Sequence, residues 1–249
     1  DLHSFPTRRS SDLHIAGVLR GEDEEPGVAA GEVGTGGLCV VLAHGFSGAL
    51  GRPALQRAAA VFARFGGVVT FSFRGHGRSG GLSTLGDREV LDLDAAVRWA
   101  RELGHTTVAV VGFSMGGSVV LRHAGLVGAP GAEDGEDRTG AGGPGRTGGS
   151  GTGGRTEAQV DAVVSVSAPA RWFYRGTAPM RRLHWVVTRP VGRTLSRLAM
   201  RTRVHPGEWD PVPLPPVEAV RAIAPVPLLV VHGDRDRKST RLNSSHPYR

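Results

Sequence analysis

Thr107-Val108-Ala109-Val110-Val111-Gly112-Phe113-Ser114-Met115-Gly116-Gly117 is the stretch on which the fold turns. Its β-favouring and small apolar residues predict a buried strand, which runs directly into Gly-x-Ser-x-Gly. A helix-compatible run from Ser118 to His123 follows at once. Strand, sharp turn and helix is the context in which Gly-x-Ser-x-Gly presents a nucleophilic serine. Gly112 and Gly116 leave room for a tight crossing and let Ser114 take a strained conformation with its Oγ exposed. A helix starting just after Ser114 also aims the Met115 N–H at a developing oxyanion. The pattern recurs at Gly77-Arg78-Ser79-Gly80-Gly81, but there no strand feeds it and no helix leaves it.

Upstream, Leu38 to Ala43 is a continuous apolar run of strand length, as expected for a strand covered on both faces. It ends in His44-Gly45-Phe46-Ser47-Gly48. Pro53 to Phe65 reads as an amphipathic helix with proline near its start. Gly67 to Phe73 is the next strand, followed by the loop Arg74-Gly75-His76-Gly77-Arg78-Ser79. A helix is expected over about 87–102, with Val90, Leu91, Leu93, Ala96, Val97 and Ala100 as its apolar face. Val160 to Ser167 restores a strand after the elbow helix, and Pro227 to Gly233 reads as one more buried strand. A strand from His14 to Arg20 is also expected near the start. Strands alternating with helices imply an α/β fold with a mostly parallel central sheet, its site at the carboxyl ends of the strands.

Two internal segments break this rhythm. Residues 125–158 are rich in Gly, Thr, Arg and acids and nearly empty of large apolar groups, as expected of a disordered insertion. Residues 168–215 carry aromatic side chains, Leu195, Leu198 and Met200 among many arginines. They are expected to form a helical cap, its arginines facing water or an anionic partner. This stretch also raises membrane-surface association, for which the sequence offers no independent support.

The ends differ in composition. The only Lys (Lys238) and the only Asn (Asn243) fall within the last dozen residues. Residues 1–13 and 237–249 resemble translated sequencing adapters and are not expected to belong to the fold. Without them and Asp236, 24 basic and 20 acidic side chains leave about +4, an ordinary surface charge. The high pI is therefore no nucleic-acid signature. One cysteine, Cys39, excludes an intramolecular disulfide framework and reads as a small buried hydrophobe. No apolar run reaches transmembrane length, and the N-terminal residues hold no signal-like core, so the cytoplasm is the default expectation. No metal-ligand cluster, dinucleotide fingerprint, phosphate loop or nucleic-acid motif is found, so no cofactor is expected.

Four motifs in order resemble those of the α/β-hydrolase superfamily: Val41 to Phe46, Ser72 to Ser79, Gly112 to Gly116 and Leu229 to Asp236. The likeness is to its bacterial esterase, lysophospholipase-like and serine-aminopeptidase-like branch. The resemblance implies that Ser114 is the nucleophile and that the Phe46 and Met115 N–H groups form the oxyanion hole. His44 and Gly45 then turn the chain, Gly112 and Gly116 shape the elbow, and Asp236 is the acid orienting a histidine base. His76 and Ser79 fall at the site's edge with no assigned chemistry. The base is expected after a further strand, beyond Asp236, so the chain reads as C-terminally truncated and inactive alone. Asp236 is either native or part of the adapter-like string, and Asp234 is the weaker candidate. The implied substrate is a small-molecule ester or acyl compound. Aminopeptidase-like or thioesterase chemistry, or ligand binding without turnover, stay open, as does the oligomeric state. Dehalogenase and epoxide-hydrolase chemistry is disfavoured because those relatives carry Asp in place of Ser114.

Overall fold

Apolar runs too short for helices form the strands, and amphipathic runs form the helices that cover them. A computed structural model describes residues 9–10, 13–18, 37–128, 157–172, 175–176 and 178–233. Its strands are β1 Arg9–Ser10, β2 Leu13–Val18, β3 Leu38–Ala43, β4 Gly67–Ser72, β5 Thr107–Phe113, β6 Ala162–Val166 and β7 Leu228–Val231. Its helices are α1 Pro53–Phe62, α2 Glu89–Glu102, α3 Met115–Gly128, α4 Ala178–Thr188, α5 Pro190–Leu195 and the single turn α6 Pro216–Ala219. A π-helical turn, Ser196–Met200, continues α5. The sheet order is β1-β2-β4-β3-β5-β6-β7. From β4 to β7 neighbouring strands pair in parallel, whereas β2 runs antiparallel to β4 and β1 to β2. The β1–β2 pair draws Arg9, Ser10 and Leu13 of the adapter-like string into the sheet.

β3 shows why a continuous apolar run suits the sheet's centre. Cys39, Val41 and Ala43 pack with α2 and α3, while Val40 and Leu42 pack with α1 on the opposite face. Alternate side chains of a strand point to opposite faces, so both sets are buried. Cys39 is buried as expected, and burial pushes its thiol up to about 12. The α2 face differs from expectation at one position. Leu93, Ala96, Val97, Trp99 and Ala100 are buried, but Leu91 is 60% exposed, because it lies nearly opposite Leu93 around the helix.

β7 is a second difference. It is half-buried only at Leu228, and Leu229, Val230 and Val231 are exposed. It pairs with β6 on one side and forms the sheet's edge among the described residues, so its apolar side chains lack the second layer a central strand has. α3 continues to Gly128, into the stretch read as the insertion. Gly125 and Gly128 allow this helix to approach α6 and the turn after it. A side-chain carbon on Gly125 would fall 2.6 Å from the Ala219 carbonyl oxygen. Residues 129–156 lie outside the described residues. No described helix is long and apolar enough to cross a membrane.

Candidate active site

Ser114 leaves β5 and enters α3 with φ at +53°, in the left-handed region that side chains other than glycine avoid. Such a conformation costs on the order of 1–3 kcal/mol and persists only where its surroundings enforce it. Here the Ser114 N–H donates to the Val166 carbonyl of β6 at 2.9 Å, and the Ser114 carbonyl accepts from Ser118 at 3.2 Å. Ser165 Oγ adds a hydrogen bond to the Gly117 carbonyl. Ser114 is itself exposed.

The glycines around it are required by close approach. A side-chain carbon on Gly112 would lie 2.2 Å from the Gly116 carbonyl oxygen, across the elbow. One on Gly116 would lie 2.3 Å from the Ala43 carbonyl oxygen and 2.6 Å from that of His44. The second approach carries the β3 exit loop alongside the elbow. A side-chain carbon on Gly45 would sit 3.4 Å from Ser114 Cβ and 4.0 Å from its Oγ. Met115 is the first residue of α3, so its N–H has no acceptor within the helix.

His44 is buried and its ring is fully engaged. Phe73 N–H donates to Nε2 at 3.0 Å, which assigns the ring proton to Nδ1. Nδ1 donates to the Gly45 carbonyl at 2.7 Å, and Gly48 N–H donates to the same oxygen at 2.8 Å. Burial, with His76 5.0 Å away, holds this imidazole down at about 3, so it stays neutral. The next carbonyl, that of Phe46, faces His76 Nε2 at 2.5 Å and Thr202 Oγ1 at 3.4 Å. His76 Nδ1 faces the Arg74 carbonyl at 2.9 Å. Burial lowers the His76 pKa despite these two acceptors. His76 lies at the site's edge as expected, but its contact with the Phe46 carbonyl, and Thr202 beside it, go beyond the sequence reading. The only sequence signal was that the Arg74–Ser79 loop follows a strand of the same sheet.

That loop rests on buried charge. Asp92 accepts from the Arg74 backbone and guanidinium, and Glu89 accepts from Ser83 Oγ, Thr84 N–H, Thr84 Oγ1 and Gly86 N–H. Backbone bonds from Arg203 to Gly75 and from Ser83 to Arg203 join the loop to the segment after the π turn. Among the described residues no group of three or more His, Cys, Asp and Glu could hold a metal. Asp234, Asp236 and His246 lie outside the described residues.

A parallel sheet flanked by helices, with an exposed serine where a central strand turns into a helix, is the arrangement of α/β-type hydrolases. This chain belongs to that family: the model described as "Alpha/beta hydrolase family" matches residues 40–248. Among solved structures, it is similar to the Pyrococcus furiosus esterase Pf2001 in two crystal forms. One form matches at 18% identity over 92% of this chain and 69% of that one, with a TM-score of 0.52. The other matches at 16% identity over 97% and 90%, with a TM-score of 0.51. The alpha/beta hydrolase GrgF from Penicillium sp. sh18 matches at 16% identity over 98% and 84%, with a TM-score of 0.56. At these identities the likeness is one of fold. No curated protein matches the chain.

Proposed function

We propose that the protein is a serine hydrolase acting on acyl esters, with Ser114 as nucleophile and the N–H groups of Phe46 and Met115 as oxyanion hole. One observation carries this reading. An exposed serine holds a strained left-handed φ beside the Gly45 backbone, on a chain of the alpha/beta hydrolase family. Ser114 Oγ attacks the ester carbonyl, the alkoxide leaves with a proton, and water then cleaves the acyl-serine. The two amides stabilise the negative oxygen in both steps. The substrate is a small-molecule acyl compound.

The mechanism calls for a histidine base placed after a further strand beyond Asp236, with Asp236 as the carboxylate that orients it. His246 is too near to Asp236 to be that base. His44 and His76 are unsuited, since both ring nitrogens of each face backbone partners. His105 packs against Gly67 at the amino ends of β4 and β5. It is separated from Ser114 by the length of β5, about 20 Å at ~3.3 Å per residue.

The test is hydrolysis of p-nitrophenyl acetate by this chain and its Ser114→Ala variant, with and without added imidazole as a substitute base. With imidazole, a faster rate is expected for the unsubstituted chain than for the variant. Acetyl transfer to Ser114, read by mass spectrometry, should accompany the difference. Equal rates in both conditions, with no acetyl on Ser114, would refute the nucleophile assignment.

A further inference from the structure

The segment from α4 through the π turn has the most one-sided charge in the chain. Between Ala162 and Gly207 there are nine arginines and no Asp or Glu. Among the described residues no carboxylate pairs with Arg182, Arg189 or Arg197, and all three are exposed.

Large apolar side chains of the same segment stand in water. Val191 is 70% exposed, Leu195 50% and Leu198 75%, with Trp185 of α4 at 48%. Val191, Leu195 and Leu198 recur at the spacing of one helical face. An adjoining face packs inward: Gly192 and Ser196 are buried. A side-chain carbon on Gly192 would fall 2.7 Å from the Trp185 and Val186 backbone of α4. The apolar stripe points outward, and the exposed Arg197 precedes Leu198 in the chain. Beyond it, Arg201 joins Arg52 and Arg78 around a cavity of about 590 Å³ whose lining contains no acidic residue.

We propose that this face docks the protein on an anionic lipid bilayer. Val191, Leu195 and Leu198 enter the interfacial region, and the surrounding arginines meet lipid phosphates. A bilayer satisfies both halves of the surface at once, since amphipathic helices gain from apolar insertion and from attraction to anionic headgroups. A nucleic acid would use the arginines and leave the aliphatic side chains in water. A two-fold dimer would bury the aliphatic side chains but set arginines against arginines, because such an interface is self-complementary. The docking surface is independent of the hydrolase reading, and neither falls with the other.

The experiment is sedimentation of the full chain with vesicles of phosphatidylcholine alone or mixed with phosphatidylglycerol, at low and high salt. Two variants accompany it, Val191→Ser with Leu198→Ser, and Arg182→Gln with Arg189→Gln and Arg197→Gln. All five positions are exposed, so thermal melts should match the parent. Binding is expected only to the phosphatidylglycerol vesicles, weakened by salt and reduced by on the order of tenfold or more in each variant. Equal binding to both vesicle types, or none, would overturn the proposal. So would full vesicle binding by the Val191/Leu198 variant, which would leave a simple polyanion patch. Self-association lost in that variant, without vesicle binding, would assign the face to a second copy and overturn it equally.

Discussion

The Phe73 amide donates to His44 Nε2 at 3.0 Å, which leaves the only ring proton on Nδ1, 2.7 Å from the Gly45 carbonyl oxygen. A trans peptide is planar, so the Gly45 carbonyl and the Phe46 N–H point in opposite directions. Holding one aims the other. With Gly48 donating to the same oxygen and His76 Nε2 on the following carbonyl, two successive peptides of this loop are clamped from below.

On the proposed oxyanion role of the Phe46 N–H, His44→Gln should lower the Ser114-dependent, imidazole-supported esterase rate by about 10²-fold, near the cost of losing one oxyanion donor. The loss should fall on kcat with little change in KM, because the donor acts on charge that develops after binding. A KM effect alone would place His44 in substrate binding instead.

Gly116→Ala inserts a methyl group where the Ala43 and His44 carbonyl oxygens stand 2.3 and 2.6 Å away. Backbone cannot yield as a flexible side chain does, so the variant should lose about 1–3 kcal/mol of stability in urea melts. Gly51→Ala, with nothing within 4 Å, is the control expected to melt with the parent.

His44 is held at about 3 in the folded protein against an ordinary value of 6.5, and burial also lowers His76. The unfolded chain therefore takes up these protons first as pH falls. The stability they contribute is complete above about 6.5 and is lost as pH drops toward about 3. The slope is about 1.4 kcal/mol per pH unit for each proton. Urea melts between neutral and mildly acidic pH should show this fall, with a shallower slope for His44→Gln. Burial raises the Asp92 carboxyl and works in the opposite sense, but both proteins share it and it cancels in the comparison.

Glu89→Gln keeps the shape of a fully buried side chain but sets an NH₂ group among four donors. At least one donor then loses its acceptor, at a cost of about 1–3 kcal/mol. Chemical denaturation should show that loss. An unchanged midpoint would mean that the four bonds do not survive in solution.

Local sequence carried a good deal of this protein. The β5 run into Gly-Phe-Ser-Met-Gly announced strand, elbow and helix, because apolar period and glycine placement act over a few residues. The apolar run of β3 announced a strand covered on both faces for the same reason. Leu91 and β7 depart from expectation because periodicity and composition say which residues are apolar, not what lies over them. The clamp on Phe46 was hidden for a different reason. His76 stands 30 residues away and Thr202 stands 156 away, so neither is a neighbour until the loops after β3 and β4 and the π turn meet.

By itself, then, the sequence determined where strands and helices alternate and which serine sits at the strand-to-helix crossing, since both follow from backbone propensities over a short span. Only the tertiary structure decided which carbonyl each buried histidine holds, which strand stands at the sheet's edge, and which side of α5 faces water. Those depend on how chain segments far apart in sequence pack together, and no local pattern encodes that.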